Sequence, residues 1–103
     1  MQPATQPVAT AEDFRRFAED KRLSLNGRAV LTFLASKPPS YVPNVPDVIA
    51  LTQHARRKSG KCIVYQAFAE LRELGYVSAR RTNLGVDYTL HLNPINGANG
   101  AGA

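Results

Sequence analysis

Residues 59–77 read Ser59-Gly60-Lys61-Cys62-Ile63-Val64-Tyr65-Gln66-Ala67-Phe68-Ala69-Glu70-Leu71-Arg72-Glu73-Leu74-Gly75-Tyr76-Val77. Val64, Phe68 and Leu71 recur at spacings of four and then three, the repeat of a single buried helical stripe, with Ala67 and Leu74 on its flanks. Ser59 is the expected N-cap, Gly60 and Lys61 open the helix, and Gly75 stands where a left-handed C-terminal cap is wanted. Lys61, Tyr65, Gln66, Ala69 and Arg72 are left on the opposite face. Cys62, in an apolar setting at the helix start, is expected in the core rather than as a reactive thiol, and Glu70 and Glu73 read as ordinary helix-surface charges.

Beyond Gly75 the period changes from helical to alternating. Val86, Tyr88, Leu90 and Leu92 point one way while Asp87, Thr89 and His91 point the other, the pattern of a half-buried strand. Residues 76–81 make its partner, and Thr82-Asn83-Leu84-Gly85 supplies the turn, with Asn and Gly able to accept positive φ. Pro94 ends the pattern.

Three more helices are expected upstream. Thr10, with Glu12 and Asp13 behind it, caps a helix running to about residue 22, with Phe14, Phe17 and Ala18 on one face and Arg15, Arg16, Glu19 and Asp20 toward water. Its narrow apolar stripe suits either the body of its own chain or a partner. Ser24 caps the second helix, 25–36, whose apolar positions are Leu25, Ala29, Val30, Phe33 and Leu34 and which Lys37-Pro38-Pro39 stops. An extended segment carrying Tyr41, Val42 and Pro43 follows. Asn44 caps the third helix, with Pro46 and Asp47 in its first turn and Val45, Val48, Ile49 and Leu51 turned inward. Between it and Ser59, Leu51-Thr52-Gln53-His54-Ala55-Arg56-Arg57-Lys58 is either a continuation of that helix or a basic loop.

The fold class expected from this order is mainly α with a small β-hairpin, an α+β domain over residues 10–94, with flexible tails at 1–9 and 95–103 where no apolar periodicity offsets the entropy of ordering. At 103 residues and 44% apolar content the chain has room for one small globular domain. Its burial margin is thin, so pairing with a second copy is a natural source of stability. The single cysteine allows no internal disulfide and suits a reducing compartment. No apolar run approaches the roughly 20 residues that span a bilayer, and the polar start lacks a signal-peptide core, so a cytoplasmic protein without membrane attachment is expected.

Charge narrows the partners. Arg56, Arg57, Lys58, Lys61, Arg72, Arg80 and Arg81 face only Glu70 and Glu73 within 56–81, a net charge equal to the +5 of the whole chain. Clustered Lys and Arg displace the counterions condensed on phosphates, which points to nucleic acid. The competing reading is a solvated basic face that serves solubility. Catalytic signals are weak. Ser59-Gly60-Lys61-Cys62 is similar to the end of a phosphate-binding loop, but Ala55 stands where an upstream glycine is needed and no strand precedes it. His54, His91 and Cys62 lack metal-ligand spacing and no nucleophilic triad stands out, so neither an enzyme, a metal, a cofactor nor a small-molecule substrate is expected.

The order helix, helix, helix, glycine and two-stranded wing, together with the Leu71-Arg72-Glu73-Leu74-Gly75-Tyr76-Val77 ending, resembles the winged helix-turn-helix domains of bacteria, phages and plasmids. The resemblance covers about residues 24–92: 25–34 is similar to the first core helix of that family, and Val45 with Val48 to its short supporting helix. It implies a sequence-specific double-stranded DNA-binding protein, a homodimer with the Phe14 and Phe17 helix as dimer element, acting in transcription regulation or as an accessory factor for replication, partition or excision of a plasmid, phage or other mobile element. Lys61, Tyr65 and Gln66 would meet base edges in the major groove, joined by Arg72. Arg56, Arg57 and Lys58 would grip phosphates, Ser59 and Gly60 would offer helix N–H groups to one more, and Arg80 and Arg81 would meet the flanking backbone or minor groove. Tyr65 also suits contact with a neighbouring copy or, in an adaptor of the same fold, with another protein.

Overall fold

The inward stripe read from the sequence is the centre of the core: Val64, Phe68 and Leu71 are buried, Leu71 completely, on a helix that ends in a left-handed Gly75 at φ 90°. The structure is a computed structural model and describes residues 7–94. Within them the chain forms α1 (Ala11–Glu19), α2 (Leu25–Ala35), α3 (Val45–Ala50), α4 (Lys61–Leu74), β1 (Val77–Thr82) and β2 (Gly85–Leu90). The two strands pair antiparallel, from Val77 opposite Leu90 to Thr82 opposite Gly85. Mainly helical, with a hairpin after the last helix, this is the α+β class expected, in an order compatible with a winged helix. Of the expected tails only 7–9 are described, and Ala9 already packs on the core; the rest lies outside the described residues.

α4 packs on α2, α3 and β1, and so sets the frame. Phe17, Leu31, Leu34, Phe68, Leu71, Val77 and Leu90 are the largest fully buried side chains among the described residues. Each contributes on the order of 1.5–3 kcal/mol by leaving water. Three caps form as their residues dictate. Thr10 and Asp13 close a reciprocal capping box on α1, Ser24 accepts from the Gly27 N–H of α2, and Asn44 accepts from Asp47 N–H with Pro46 in the first turn of α3.

The first turn of α2 is completed from elsewhere in the chain. A capping box places Glu or Gln three residues after the cap; here that position is Gly27. Glu70 of α4 fills the role, accepting from Ser24 N–H at 2.7 Å and from Ser24 Oγ at 2.6 Å. A Cβ at position 27 would lie 2.5 Å from Glu70 Oε2, so the glycine is what admits the carboxylate. Glu70 is therefore an interhelical clamp and not the plain surface charge expected. Together with Arg28, whose guanidinium donates to the carbonyls of Phe17, Ala18 and Leu23, it fixes the rotation of α2. The buried face is then Gly27, Val30, Leu31, Leu34 and Ala35, with Leu25 84% exposed and Ala29 exposed, against the expectation for both.

α1 belongs to its own chain. Phe17 is fully buried within its own chain and meets Phe14 and Tyr76 edge-on at 5.8 and 5.7 Å. The helix stops at Glu19, short of residue 22, because Asp20 is drawn aside: its carboxylate accepts from Arg22 and, at 2.6 Å, from Tyr76 Oη, instead of facing water. Ala18, expected on the apolar face, is exposed. Arg16 donates to Leu92 O, tying the helix to the segment after β2. The Arg22 guanidinium, then the Tyr76 hydroxyl, hold the Asp20 carboxyl well below its ordinary 3.8. Burial, then the bond to Asp20, pushes Tyr76 up to about 12, so it stays a donor.

Other expectations give way at element ends. α3 stops at Ala50 and leaves Leu51 50% exposed. The strands begin and end within two residues of their expected limits. In the turn Asn83 keeps negative φ, and Gly85 alone takes positive φ, at 134°.

Two outcomes follow. Gly27→Ala stabilises a Glu70→Ala protein by about 0.5–1 kcal/mol through helix propensity, but is neutral or destabilising in the native sequence, where it displaces a carboxylate and two hydrogen bonds of about 1 kcal/mol each; a double-mutant cycle in urea measures the coupling, and equal effects in both backgrounds contradict the clamp. Because the folded pKa of Asp20 is depressed, its stabilising contribution is full above the ordinary 3.8 and is lost as pH falls through the lowered value. Asp20→Asn therefore lowers the melting temperature at neutral pH and narrows its difference from wild type as acid is added, which thermal melts across that range read directly.

Candidate nucleic-acid interface

The segment between α3 and α4 is a loop, not a helical extension. Tight turns carry it from Ala50 through Ala55, and Ser59 N–H donates to Thr52 Oγ1 at 2.8 Å, closing the loop behind Arg56, Arg57 and Lys58, all exposed. Ser59 is thereby used as a loop clasp. The N-cap is Gly60, which has no side chain to offer, so the first N–H groups of α4 have no side-chain acceptor at the cap. α4 also has no acid in its first turn, whereas α1 carries Glu12 and Asp13, α3 carries Asp47 and α2 receives Glu70. Its positive helix end is accompanied by Lys61 instead.

Burial of Val64, Ala67, Phe68 and Leu71 divides the remaining side chains of α4 into rows. At about 100° per residue, Lys61, Arg72 and Tyr65 fall within an arc of about 40°, while Gln66 lies about 100° beyond Tyr65, in line with Cys62, Ala69 and Glu73. The five outer residues expected on one face thus form two rows. Cys62, about 200° from Val64, is exposed rather than in the core.

The Tyr65 row looks along the hairpin. Tyr65, 49% exposed, lines an open groove of about 320 Å3 with Asn44, Val45 and Pro46 at the start of α3 and with Gly85, Val86 and Tyr88 of β2. Tyr88 packs on Phe68 with ring centres 4.7 Å apart, which holds the hairpin against α4. Arg80 and Arg81 are both exposed but emerge on opposite faces, since successive strand residues alternate. Arg80 stands across from Asp87, and Arg81 across from Val86. The alternation of β2 puts Val86 and Tyr88 on one side of the strand; that this side, with Pro46, walls the groove beside Tyr65 has no signal in the sequence.

Exposed cations therefore lie on the 56–58 loop, at the open end of α4 with Lys61, on its flank with Arg72, and on both faces of the hairpin. The ion pairs Arg15–Glu12, Arg16–Asp13 and Arg22–Asp20 involve none of these cations. No three His, Cys, Asp or Glu side chains gather as metal ligands, and no helix is long and apolar enough to cross a membrane, among the described residues. His91 meets Ser78 Oγ at 2.9 Å, and burial lowers its pKa. No protein family, curated protein or solved structure matches the chain.

Proposed function

We propose that this protein is a winged helix-turn-helix, sequence-specific double-stranded DNA-binding protein, with α4 in the major groove and the hairpin on the flanking backbone or minor groove. The observation that carries the reading is the exposure of the 56–58 cations next to a helix start without a carboxylate, with a basic hairpin held to the same helix through Phe68 and Tyr88. A helix with its side chains matches the width of the major groove. The first turns of α4 offer Lys61 and Gln66 for base edges, at the end of the helix whose dipole is positive. Arg56, Arg57 and Lys58 hold register on phosphates, which supplies affinity without reading sequence. The N–H groups after Ser59 and Gly60 donate to one phosphate, and Arg72, Arg80 and Arg81 extend the contact outward.

Tyr65, in one row with Lys61 and in the wall of the groove beside Val86 and Tyr88, meets base edges or backbone next to the hairpin. Such an apolar groove also suits a protein partner, which keeps an adaptor of the same fold as the competing reading. A DNA-marking protein serves equally as transcriptional regulator or as accessory factor for replication, partition or excision of a mobile element. Two-fold pairing, with half-sites about one helical turn apart, fits this reading through a surface other than Phe17.

The test is selection of bound sequences from random duplexes, followed by titration in salt. With roughly 6 phosphates neutralised, affinity falls about a thousandfold between 50 and 200 mM salt, and Arg56→Ala or Arg57→Ala each reduces the logarithmic slope by about 1. Lys61→Ala and Gln66→Ala instead relax the selected sequence. Absence of duplex binding at low salt favours the adaptor.

A further inference from the structure

The apex of the hairpin carries a residue that its turn does not explain. Leu84 is 100% exposed in a two-residue turn, a place where Asn, Asp and Gly are favoured, and it contributes nothing to the core. Val86, two residues on, is 45% exposed. Over 80–87 the charge is only two arginines against Asp87, so the tip offers apolar surface more than charge. Building on the DNA-binding reading, we infer that Leu84 is a wedge: the hairpin enters the minor groove tip first and Leu84 pries apart a base step of the flanking duplex.

Geometry and chemistry favour this over simple backbone contact. A two-stranded ribbon has its strands about 4.8 Å apart before side chains are added, too broad for an undeformed minor groove about 6 Å wide. Only the apex, Asn83 and Leu84, fits without deformation. Deeper entry needs the groove widened, which an apolar side chain accomplishes by partial insertion between base pairs. Arg80 and Arg81, on opposite faces just behind the apex, are placed to meet the two phosphate walls of the widened groove, and Asp87 beside Arg80 limits their pull. Backbone contact alone would put Leu84 in water or against phosphate, where it gains nothing. Pyrimidine–purine steps unstack most readily, so the wedge adds a preference for TA or CA/TG at a position flanking the bases read by α4, without a hydrogen bond to that position.

The experiment uses the full chain and duplexes selected by it, carrying a fluorescent adenine analogue at the flanking step and a dye pair at the ends. The wild type raises the analogue's fluorescence and shortens the end-to-end distance. Leu84→Ala, which removes no core contact, binds about tenfold more weakly, leaves the analogue stacked and the duplex straight, and loses the flanking-step preference, while Leu84→Phe restores unstacking. Equal unstacking and bending by wild type and Leu84→Ala, or none by either although both bind, overturns the wedge and leaves DNA binding intact. Failure of the wild type to bind any duplex overturns both.

Discussion

The rotation of α4 about its own axis is the constraint on which the rest of the structure depends. Val64, Phe68 and Leu71 allow one orientation, because turning the helix by a residue would bring Tyr65 or Arg72 into an interior that offers them no partner. That orientation aims Glu70 at the start of α2, sets Phe68 against Tyr88 of the hairpin, and leaves Lys61, Cys62 and Gln66 outward. Gly75 then matters for direction. Its left-handed backbone ends the helix and turns the chain so that Tyr76 and Val77 return into the core, which lays the hairpin beside the helix that precedes it.

Electrostatic roles are divided between the two sides of the molecule. On the α1 side several charges are engaged within the chain: Asp20 between Arg22 and Tyr76, Arg28 on the last carbonyls of α1, Arg16 on Asp13 and Leu92. These partners satisfy helix ends that would otherwise depend on water. On the α4 side the cations are placed on a loop, a helix start and a hairpin without such partners among the described residues. The same residue types thus do structural work on one side and remain available on the other, and the proposed function rests on that contrast.

What the sequence made legible was local. The stripe of α4, Gly75, the Thr10 and Asp13 box, Asn44 with Pro46, and the change of period after residue 75 are each decided by residues a turn apart, and each stands where it was expected. What it hid was tertiary. Gly27 at a position made for a glutamate is intelligible only once Glu70, far along the chain, is known to fill the vacancy. Leu25 and Ala29 have as good a helical spacing as Leu31 and Ala35, so periodicity alone could not choose the buried face of α2. Cys62 was placed by its apolar character rather than by its angle from Val64. The cations at 56–58, 61, 72, 80 and 81 are exposed, but the opposite facing of Arg80 and Arg81 needed the register of the hairpin.

The most direct test of the account is an amide NMR titration of the full chain with a selected duplex at low salt. Perturbations concentrated at 56–66 and 80–86, with Glu12, Arg15 and Glu19 of α1 unmoved, are the predicted result. Perturbations centred on α1, or a strip from 56 to 66 that stays silent while the duplex binds, would contradict it.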